Sequence, residues 1–410
     1  MTLTEKPAMA VEMKSVRQRK VVGLTGDGAA ADAMMQINPD QVAAYPITPQ
    51  TEIVERFAEY VANGEVQTEF VAVESEHSAL SACCGGAAAG GRVMTCTSSQ
   101  GLALMHEVLY IASGNRLPIV MPMVNRTLSA PINIHGDHSD SMGSRDASWI
   151  QLFCADAQEI YDTTIMAIRI AEHPDVSLPV MICFDGFNVS HDMERVEMLD
   201  KAEVQEFIGE NKPAINMLDT EHPITIGSLV LPPFFFEHKL SMINALEGSV
   251  KVIEEVGKEF EKLTGRAQPV IESYGMEDAE VAVVALSGIG GTATWTAMKL
   301  REQGMKVGVV RPRVYRPFPG QQIAEMLKNV KAVAVVEKAT SPGAAAGPIF
   351  EDLATALYEL DARPKMVNYS TGLGGRDTSS GQFTAVFERL MGIAKGGPVG
   401  PRVSYIGVRE

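Results

Sequence analysis

Cysteine is scarce in this chain of 410 residues: five are present, Cys83, Cys84, Cys96, Cys154 and Cys183. None falls in a Cys-x-x-Cys pair or another spacing that would hold zinc or an iron–sulfur cluster, so the chain carries no cluster of its own. Their odd number and apolar neighbours exclude a secreted disulfide framework and predict reduced, buried thiols in the cytoplasm. Positive charge is also in short supply, with 35 Lys and Arg against 51 Asp and Glu, a net charge of −16. Nucleic-acid backbones and anionic membranes are thereby disfavoured as partners, since each would add repulsion between like charges. Long apolar runs are missing too. No segment is long enough to span a bilayer, and residues 1–19 lack the continuous apolar stretch of a signal peptide. That stretch is read as a tail that packs on a neighbour.

What is present is the composition of a folded protein, 46% hydrophobic and 21% charged. A chain of this length outgrows a single hydrophobic core, so at least two domains are expected. From Lys20 short apolar runs alternate with helical patterns, the signature of βα units and a parallel sheet. Strands are predicted at Val21, Val42, Glu69, Arg92, Pro118 and Pro179, and Ile53, Phe57, Tyr60 and Val61 share one helix face. One doubly wound α/β domain spans 20–200. Residues 201–275 are charged, carry the Pro232–Phe236 run and a helical stretch, and read as a linker with a packing helix. A second, smaller doubly wound α/β domain spans 276–410.

In open parallel sheets ligands gather at the carboxyl ends of strands. Those ends are polar here: Pro46-Ile47-Thr48-Pro49, Glu74-Ser75-Glu76-His77, Thr97-Ser98-Ser99-Gln100-Gly101, Asn125-Arg126-Thr127 and Asp185-Gly186-Phe187. Glu76 precedes a run of small residues that reads as a tightly packed helix, which makes it either a dipole-stabilising acid or a cleft carboxylate. Thr48 beside Pro49 has an ordinary explanation as an N-cap followed by proline at N1. Arg126 follows an apolar strand, and its guanidinium is expected at the crevice rim, where it would bind a carboxylate in bidentate fashion. His135, Asp137, His138 and Asp140 share a loop rich in Gly, Asp and Ser that is expected to turn and not to bind metal.

Two glycine-rich segments are decoys. Gly26-Asp27-Gly28 resembles the start of a Mg-diphosphate motif, but no asparagine follows at the required spacing, and after Pro49 the first is Asn63. No metal ligand is therefore assigned to this chain. Gly288-Ile289-Gly290-Gly291 resembles a dinucleotide loop, yet Ala293 stands at its last position and the strand before Arg311 offers no acid for a ribose, so it reads as a packing turn.

YPITPQTE from Tyr45, VESEHSA from Val73, TCTSSQGLALMHEVLYIASGNRLPIV from Thr95, NRTLSAPINIHGDHSDSMGSRD from Asn125 and CFDGFNVSH from Cys183 closely resemble the α subunit of the pyruvate:ferredoxin oxidoreductases. The likeness covers nearly the whole chain after the tail. Other 2-oxoacid:ferredoxin oxidoreductases usually differ in the Ser-Ser-Gln-Gly and Asp-His-Ser-Asp segments, which favours the pyruvate branch. Gly26-Asp27-Gly28-Ala29 departs from the family's more frequent Gly-Asn-Glu-Ala.

The resemblance implies that the first domain is like the pyrimidine-binding domain of thiamine diphosphate enzymes and the second like the transketolase C-terminal domain. It implies thiamine diphosphate shared with a β subunit that supplies Mg²⁺, 4Fe-4S clusters on γ and ferredoxin-like δ subunits, coenzyme A as co-substrate, and ferredoxin as electron carrier. The activity it implies is reversible conversion of pyruvate and coenzyme A to acetyl-CoA and carbon dioxide. Glu76 would then be catalytic, holding the pyrimidine ring in the imino form that removes the thiazolium C2 proton. Thr48 and Arg126 would bind substrate, while Pro46, Ile47 and Asn125 would contact the cofactor and the 134–140 loop would close over it. Three alternatives remain: the α subunit of a 2-oxoisovalerate, arylpyruvate or 2-oxoglutarate enzyme, a noncatalytic assembly subunit, and a nucleotide-dependent dehydrogenase.

Overall fold

The computed structural model describes residues 19–214 and 216–409, so all of the predicted tail except Arg19 lies outside the described residues. In chain order the strands are β1 (Lys20–Leu24), β2 (Gln41–Ala44), β3 (Glu69–Ala72), β4 (Val93–Met94), β5 (Ile119–Asn125), β6 (Ile150–Phe153), β7 (Val180–Asp185) and β8 (Glu194–Met198). They continue as β9 (Ile271–Tyr274), β10 (Val281–Val284), β11 (Val307–Pro312), β12 (Val314–Arg316), β13 (Ala332–Glu337), β14 (Lys365–Ser370) and β15 (Val403–Tyr405). A seven-stranded sheet has the order β12-β6-β7-β5-β4-β2-β3, and a six-stranded sheet the order β15-β14-β13-β10-β11-β9. Each sheet is parallel except for one antiparallel edge strand, β12 in the first and β9 in the second. The fold is α/β, as expected. The central strands IVMPMVN of β5 and AVAVVE of β13 are buried along their whole length, as strands covered by helices on both faces must be.

Three strands differ from the sequence-based picture. β1, predicted to open the first sheet, pairs antiparallel with β8 in a separate two-stranded ribbon. Only Leu24 of its five residues is buried, so it lacks the two apolar faces of a central parallel strand. β9 falls in the segment read as linker yet forms the edge of the second sheet, and β12 leaves the second block to pair with β6 of the first. Short edge strands carry too weak a periodicity to be assigned to a sheet from sequence.

The helix Pro232–Thr264 begins at the Pro-Pro-Phe-Phe-Phe run, with proline in its first turn, and ends at Gly265 in the left-handed region (φ 77°). Its second half buries Ala245, Ser249, Val252, Val256 and Phe260, the spacing of a single helical stripe. Gly257 lies on this stripe because a Cβ there would stand 2.6 Å from the carbonyl oxygen of Gln268, whereas a Cβ at exposed Gly248 would meet nothing within 4 Å. Opposite signs follow for one chemical change. Urea unfolding should show Gly248→Ala gaining about 0.5–1 kcal/mol from helix propensity. Gly257→Ala should lose about 1–3 kcal/mol to backbone overlap. Equal effects at both positions would contradict this packing.

Candidate active site at the strand ends

Along the first sheet the chain moves from β2 outward to β3, then returns to the other side of β2 as β4. That reversal is a topological switch point, where a crevice opens beyond the carboxyl ends of the strands. β2 leads into Tyr45–Gln50, β3 into Glu74–Glu76, and β4 into Thr97–Gly101.

Glu76 is the first residue of the helix Glu76–Ala88, whose N-cap Ser75 accepts the Ser78 N–H. The helix forms around small residues that let it pack closely. Glu76 is only 7% exposed, and among the described residues no hydrogen bond or ion pair reaches its carboxylate. Gly101 makes this possible: a Cβ there would lie 2.9 Å from Glu76 Oε1 and would also overlap the Thr97 hydroxyl. The Glu76 oxygens are not among the fully enclosed polar atoms without a partner, so they keep some solvent contact and stay open to a ligand donor. The hydroxyls of Thr97 and Ser98, at the end of β4, are buried without a partner among the described residues.

Thr48 is not an N-cap. The following helix begins at Thr51, after Gln50, while Thr48 is exposed in the preceding turn and joined to Pro49 by a cis peptide bond. The ordinary explanation for the Thr48-Pro49 pair therefore fails. Pro46 is exposed and Ile47 half-buried in the same turn, which Gln50 braces through a bond from Nε2 to the Tyr45 carbonyl (2.8 Å).

Arg126 is buried rather than at the rim, with 7% exposure. Its Nη1 donates to the Thr48 carbonyl (2.9 Å) and its Nε to the Asn133 carbonyl (3.0 Å). Burial lowers its pKa, opposed by the nearby Asp140. Asn125 turns inward: its Nδ2 donates to Asp140 Oδ1 (2.8 Å) and Ser141 Oγ (2.9 Å), while its Oδ1 is buried without a partner among the described residues.

Asp140 is the residue that sequence reasoning undervalued. Its Oδ2 accepts the backbone N–H of Ser99 (3.0 Å) and of Arg126 (2.8 Å), and its Oδ1 accepts Asn125 Nδ2 and the Ser141 N–H (2.7 Å). Burial pushes its pKa up to about 7, although these donors pull it down. The four loop residues considered as metal ligands have separate partners. His138 Nε2 faces Asp185 Oδ1 (2.9 Å), Asp137 accepts the Gly374 N–H (3.0 Å), and the His135 ring lies on Phe187. The 134–140 loop is also tied to the second domain, with the His138 N–H donating to the Lys338 carbonyl (2.8 Å). In this structure the loop forms part of the crevice wall.

At the end of β7, Asp185 is buried and bonds Lys338 Nζ (2.9 Å) from the end of β13, as well as His138. Burial would raise its pKa, but Lys338 and His138 together bring it well below the ordinary carboxylate range. Gly288 and Gly290 serve packing: added Cβ atoms would meet Asp185 Oδ2 at 3.2 Å and the Arg311 side chain at 2.6 Å.

The sequence matches two family models: "Pyruvate flavodoxin/ferredoxin oxidoreductase, thiamine diP-bdg" over residues 32–258 and "Pyruvate:ferredoxin oxidoreductase core domain II" over 279–383. It is 52% identical over 389 residues to the pyruvate synthase subunit PorA of Thermotoga maritima, covering 95% of this chain and 98% of that one. It is 41% identical to the ketoisovalerate oxidoreductase subunit VorA of Pyrococcus abyssi, covering 96% and 98%. A 2-oxoglutarate:ferredoxin oxidoreductase from Magnetococcus marinus, solved with 2-oxoglutarate, coenzyme A and succinyl-CoA bound, superposes with a TM-score of 0.70 at 19% identity, covering 91% of this chain and 66% of that one. A split-gene transketolase superposes with a TM-score of 0.53 at 14% identity, covering 90% and 99%. Both likenesses show the fold alone.

The Asp185–Lys338 pair makes a stability prediction. Asp185→Asn leaves a buried ammonium without its counter-charge and should cost about 3–5 kcal/mol at neutral pH. A depressed folded-state pKa means that this stabilisation is complete above the unfolded aspartate value of about 3.9 and is lost as pH falls through the folded value. Urea titrations should therefore show the gap between parent and variant narrowing only below about pH 4; a gap that is constant with pH would refute the assignment.

Proposed function

This chain belongs to the pyruvate:ferredoxin oxidoreductase family of thiamine diphosphate-dependent oxidoreductases, and we infer from that premise that it is the pyrimidine-activating subunit of a pyruvate synthase, with Glu76 as its catalytic carboxylate. The reaction is the oxidative decarboxylation of pyruvate with coenzyme A to acetyl-CoA and carbon dioxide, the electrons passing to ferredoxin. One observation carries the role of Glu76: the residue is only 7% exposed and lies against Gly101, while its carboxylate keeps solvent contact and has no donor among the described residues. An aminopyrimidine ring nitrogen would supply the missing partner.

Thiamine diphosphate, when bound, would supply a nucleophilic thiazolium carbon for the keto carbon and a cationic ring as the sink for the electron pair left by departing carbon dioxide. The chain's own residues prepare that chemistry. Glu76 sits in the first turn of its helix, where the dipole favours the carboxylate, and its burial strengthens a hydrogen bond made there. Held against the ring nitrogen, it shares a proton with the pyrimidine and biases the exocyclic nitrogen toward the basic form. Thr48, freed from capping, presents its hydroxyl to the substrate. Arg126 gives its Nε–H and one Nη1–H to backbone carbonyls, so three N–H groups, two on Nη2 and one on Nη1, are left for the substrate carboxylate. Pro46 and Ile47 contact the ring from the same turn. Asn125 has its amide nitrogen occupied by Asp140 and Ser141, which leaves Oδ1, without a partner among the described residues, as its free acceptor.

Companion chains complete the enzyme in this reading. A β subunit would hold the diphosphate and Mg²⁺, and γ and δ subunits would carry the clusters. In support, all five cysteines are free and four are buried, and none belongs to a group of possible metal ligands among the described residues. Phe234, Phe235 and Phe236 are exposed at the start of their helix and offer an apolar surface for such a partner. No helix among the described residues is long and apolar enough to cross a membrane, and free thiols suit a reducing cytoplasm.

Glu76→Gln keeps shape but removes the acid. In the assembled complex it should lower viologen reduction by pyruvate and coenzyme A at least about 100-fold while subunit composition and melting temperature hold. Turnover at the parent rate would leave Glu76 as a helix-end acid and refute the assignment. Arg126→Lys should raise KM for pyruvate about tenfold or more, because a single ammonium cannot both hold the Thr48 turn and face a carboxylate; an unchanged KM would exclude Arg126 from substrate binding.

A further inference from the structure

Away from Glu76, three segments that are distant in sequence converge on one charged cluster. Asp27, in the first turn of the helix Gly26–Ile37, is 0% exposed, and neither of its carboxylate oxygens has a hydrogen-bond partner among the described residues. Glu52, in the first turn of the helix Thr51–Ala62, is half-buried, and its Oε1 accepts the Thr25 hydroxyl (2.8 Å). His191 follows β7, with Nδ1 3.5 Å from Asp27 Oδ2 and 2.7 Å from Ser190 Oγ. One ligand atom from each of the three lies within 4.8 Å of the others.

The arrangement is unfavourable as it stands. Two carboxylates adjoin in a partly desolvated site, and burial together with Glu52 raises the Asp27 pKa well above its ordinary value. Arg56 turns Nη2 to Asp32 (2.8 Å) and Nε to the Tyr60 hydroxyl and makes no ion pair with Asp27 or Glu52 among the described residues. The Asp27 backbone N–H is fixed to the Ser190 carbonyl (2.9 Å), so the carboxylate is held in the cluster without a donor of its own. A fully buried carboxylate beside a second carboxylate and an imidazole is stabilised by a proton or by a cation that the three groups share, and the geometry of three converging ligand atoms suits the cation.

We propose that Asp27, Glu52 and His191 form a binding site for a divalent first-row cation. Two carboxylates and an imidazole suit Mn²⁺, Fe²⁺ or Zn²⁺, whereas Mg²⁺ prefers an all-oxygen octahedral shell. His191, the partly exposed member of the cluster, also lines a cavity of about 640 Å³ with Phe187, Asp192, Thr292 and Asp377. The bound ion ties the heads of two helices to the segment after Asp185. Glu52 lies four residues beyond Thr48, so the ion braces the turn that carries Thr48. The Gly-Asp-Gly segment, without an asparagine for a diphosphate-bound ion, thus acquires ligands from elsewhere in the fold.

The test uses the full-length chain, stripped of metal with chelator and free of thiamine diphosphate, titrated with Mn²⁺ and followed by the electron paramagnetic resonance of the free ion. One saturable site per chain is expected, and Zn²⁺ should displace the Mn²⁺. Asp27→Asn and His191→Ala should each weaken the site at least about tenfold. His191→Ala removes a side chain at the exposed rim, so it decides the matter alone if Asp27→Asn does not fold. Absence of saturable binding below about 1 mM, a dissociation constant too weak to matter in a cell, overturns the proposal. Parent-like binding in His191→Ala overturns it equally.

Discussion

A single buried carboxylate sets the shape of the crevice. Asp140 accepts four hydrogen bonds, from the backbone N–H groups of Ser99, Arg126 and Ser141 and from the Asn125 amide. Those donors belong to the turn after β4, the end of β5 and the loop that returns beneath them, segments also joined by bonds from Val124 N–H to the Thr97 carbonyl (3.1 Å) and from Thr127 N–H to the His135 carbonyl (3.1 Å). Donors left unsatisfied in a buried site cost more than a typical bond contributes, so the three segments stay together or come apart as one. Arg126, positioned through its own backbone N–H, can then reach the Thr48 carbonyl and hold the turn after β2. Glu76 faces a wall whose position follows from this network, and Gly101 provides the close approach.

The second domain fixes the far side. Lys338 from β13 meets Asp185 from β7 in a pair that is almost wholly buried, with side-chain exposures of 2% each. Arg311 from β11 joins Glu159 of the first domain (3.0 Å) and Glu272 of β9 (3.1 Å). Charges so deeply placed are costly to separate, and β12 adds a backbone connection by completing the edge of the first sheet. The 134–140 loop lies between the domains and is bonded to both. The crevice is thus walled by two domains of this chain and, in the function proposed, closed by a companion subunit that grips the phosphate end of the cofactor.

The α/β class was legible because β5, β7, β10 and β13 are apolar up to their last residue or throughout and their neighbours carry helical stripes. Glu76 was legible because a carboxylate before a run of small residues, at a strand end, sits where helix packing and cleft chemistry coincide. β1 was misplaced because an apolar run of five residues does not reveal that only one face of it is covered. Thr48 resembled a cap because the Thr-Pro pair obeys the local rule, and only the later helix start at Thr51 breaks it. Asp140 acts mainly through backbone amides, which have no sequence signature. Asp185 with Lys338, and Asp27 with Glu52 and His191, are pairings made by topology across tens to hundreds of residues, so no local pattern contains them.

The central claim is that Glu76 meets the pyrimidine of thiamine diphosphate while another chain holds the phosphates. A cryo-electron microscopy map of the assembled complex with the cofactor bound tests it most directly. The account predicts a Glu76 carboxylate oxygen within hydrogen-bond distance, about 2.6–3.0 Å, of the ring nitrogen, beside Gly101. A cofactor ring seated elsewhere, or a different acid on that nitrogen, would contradict it.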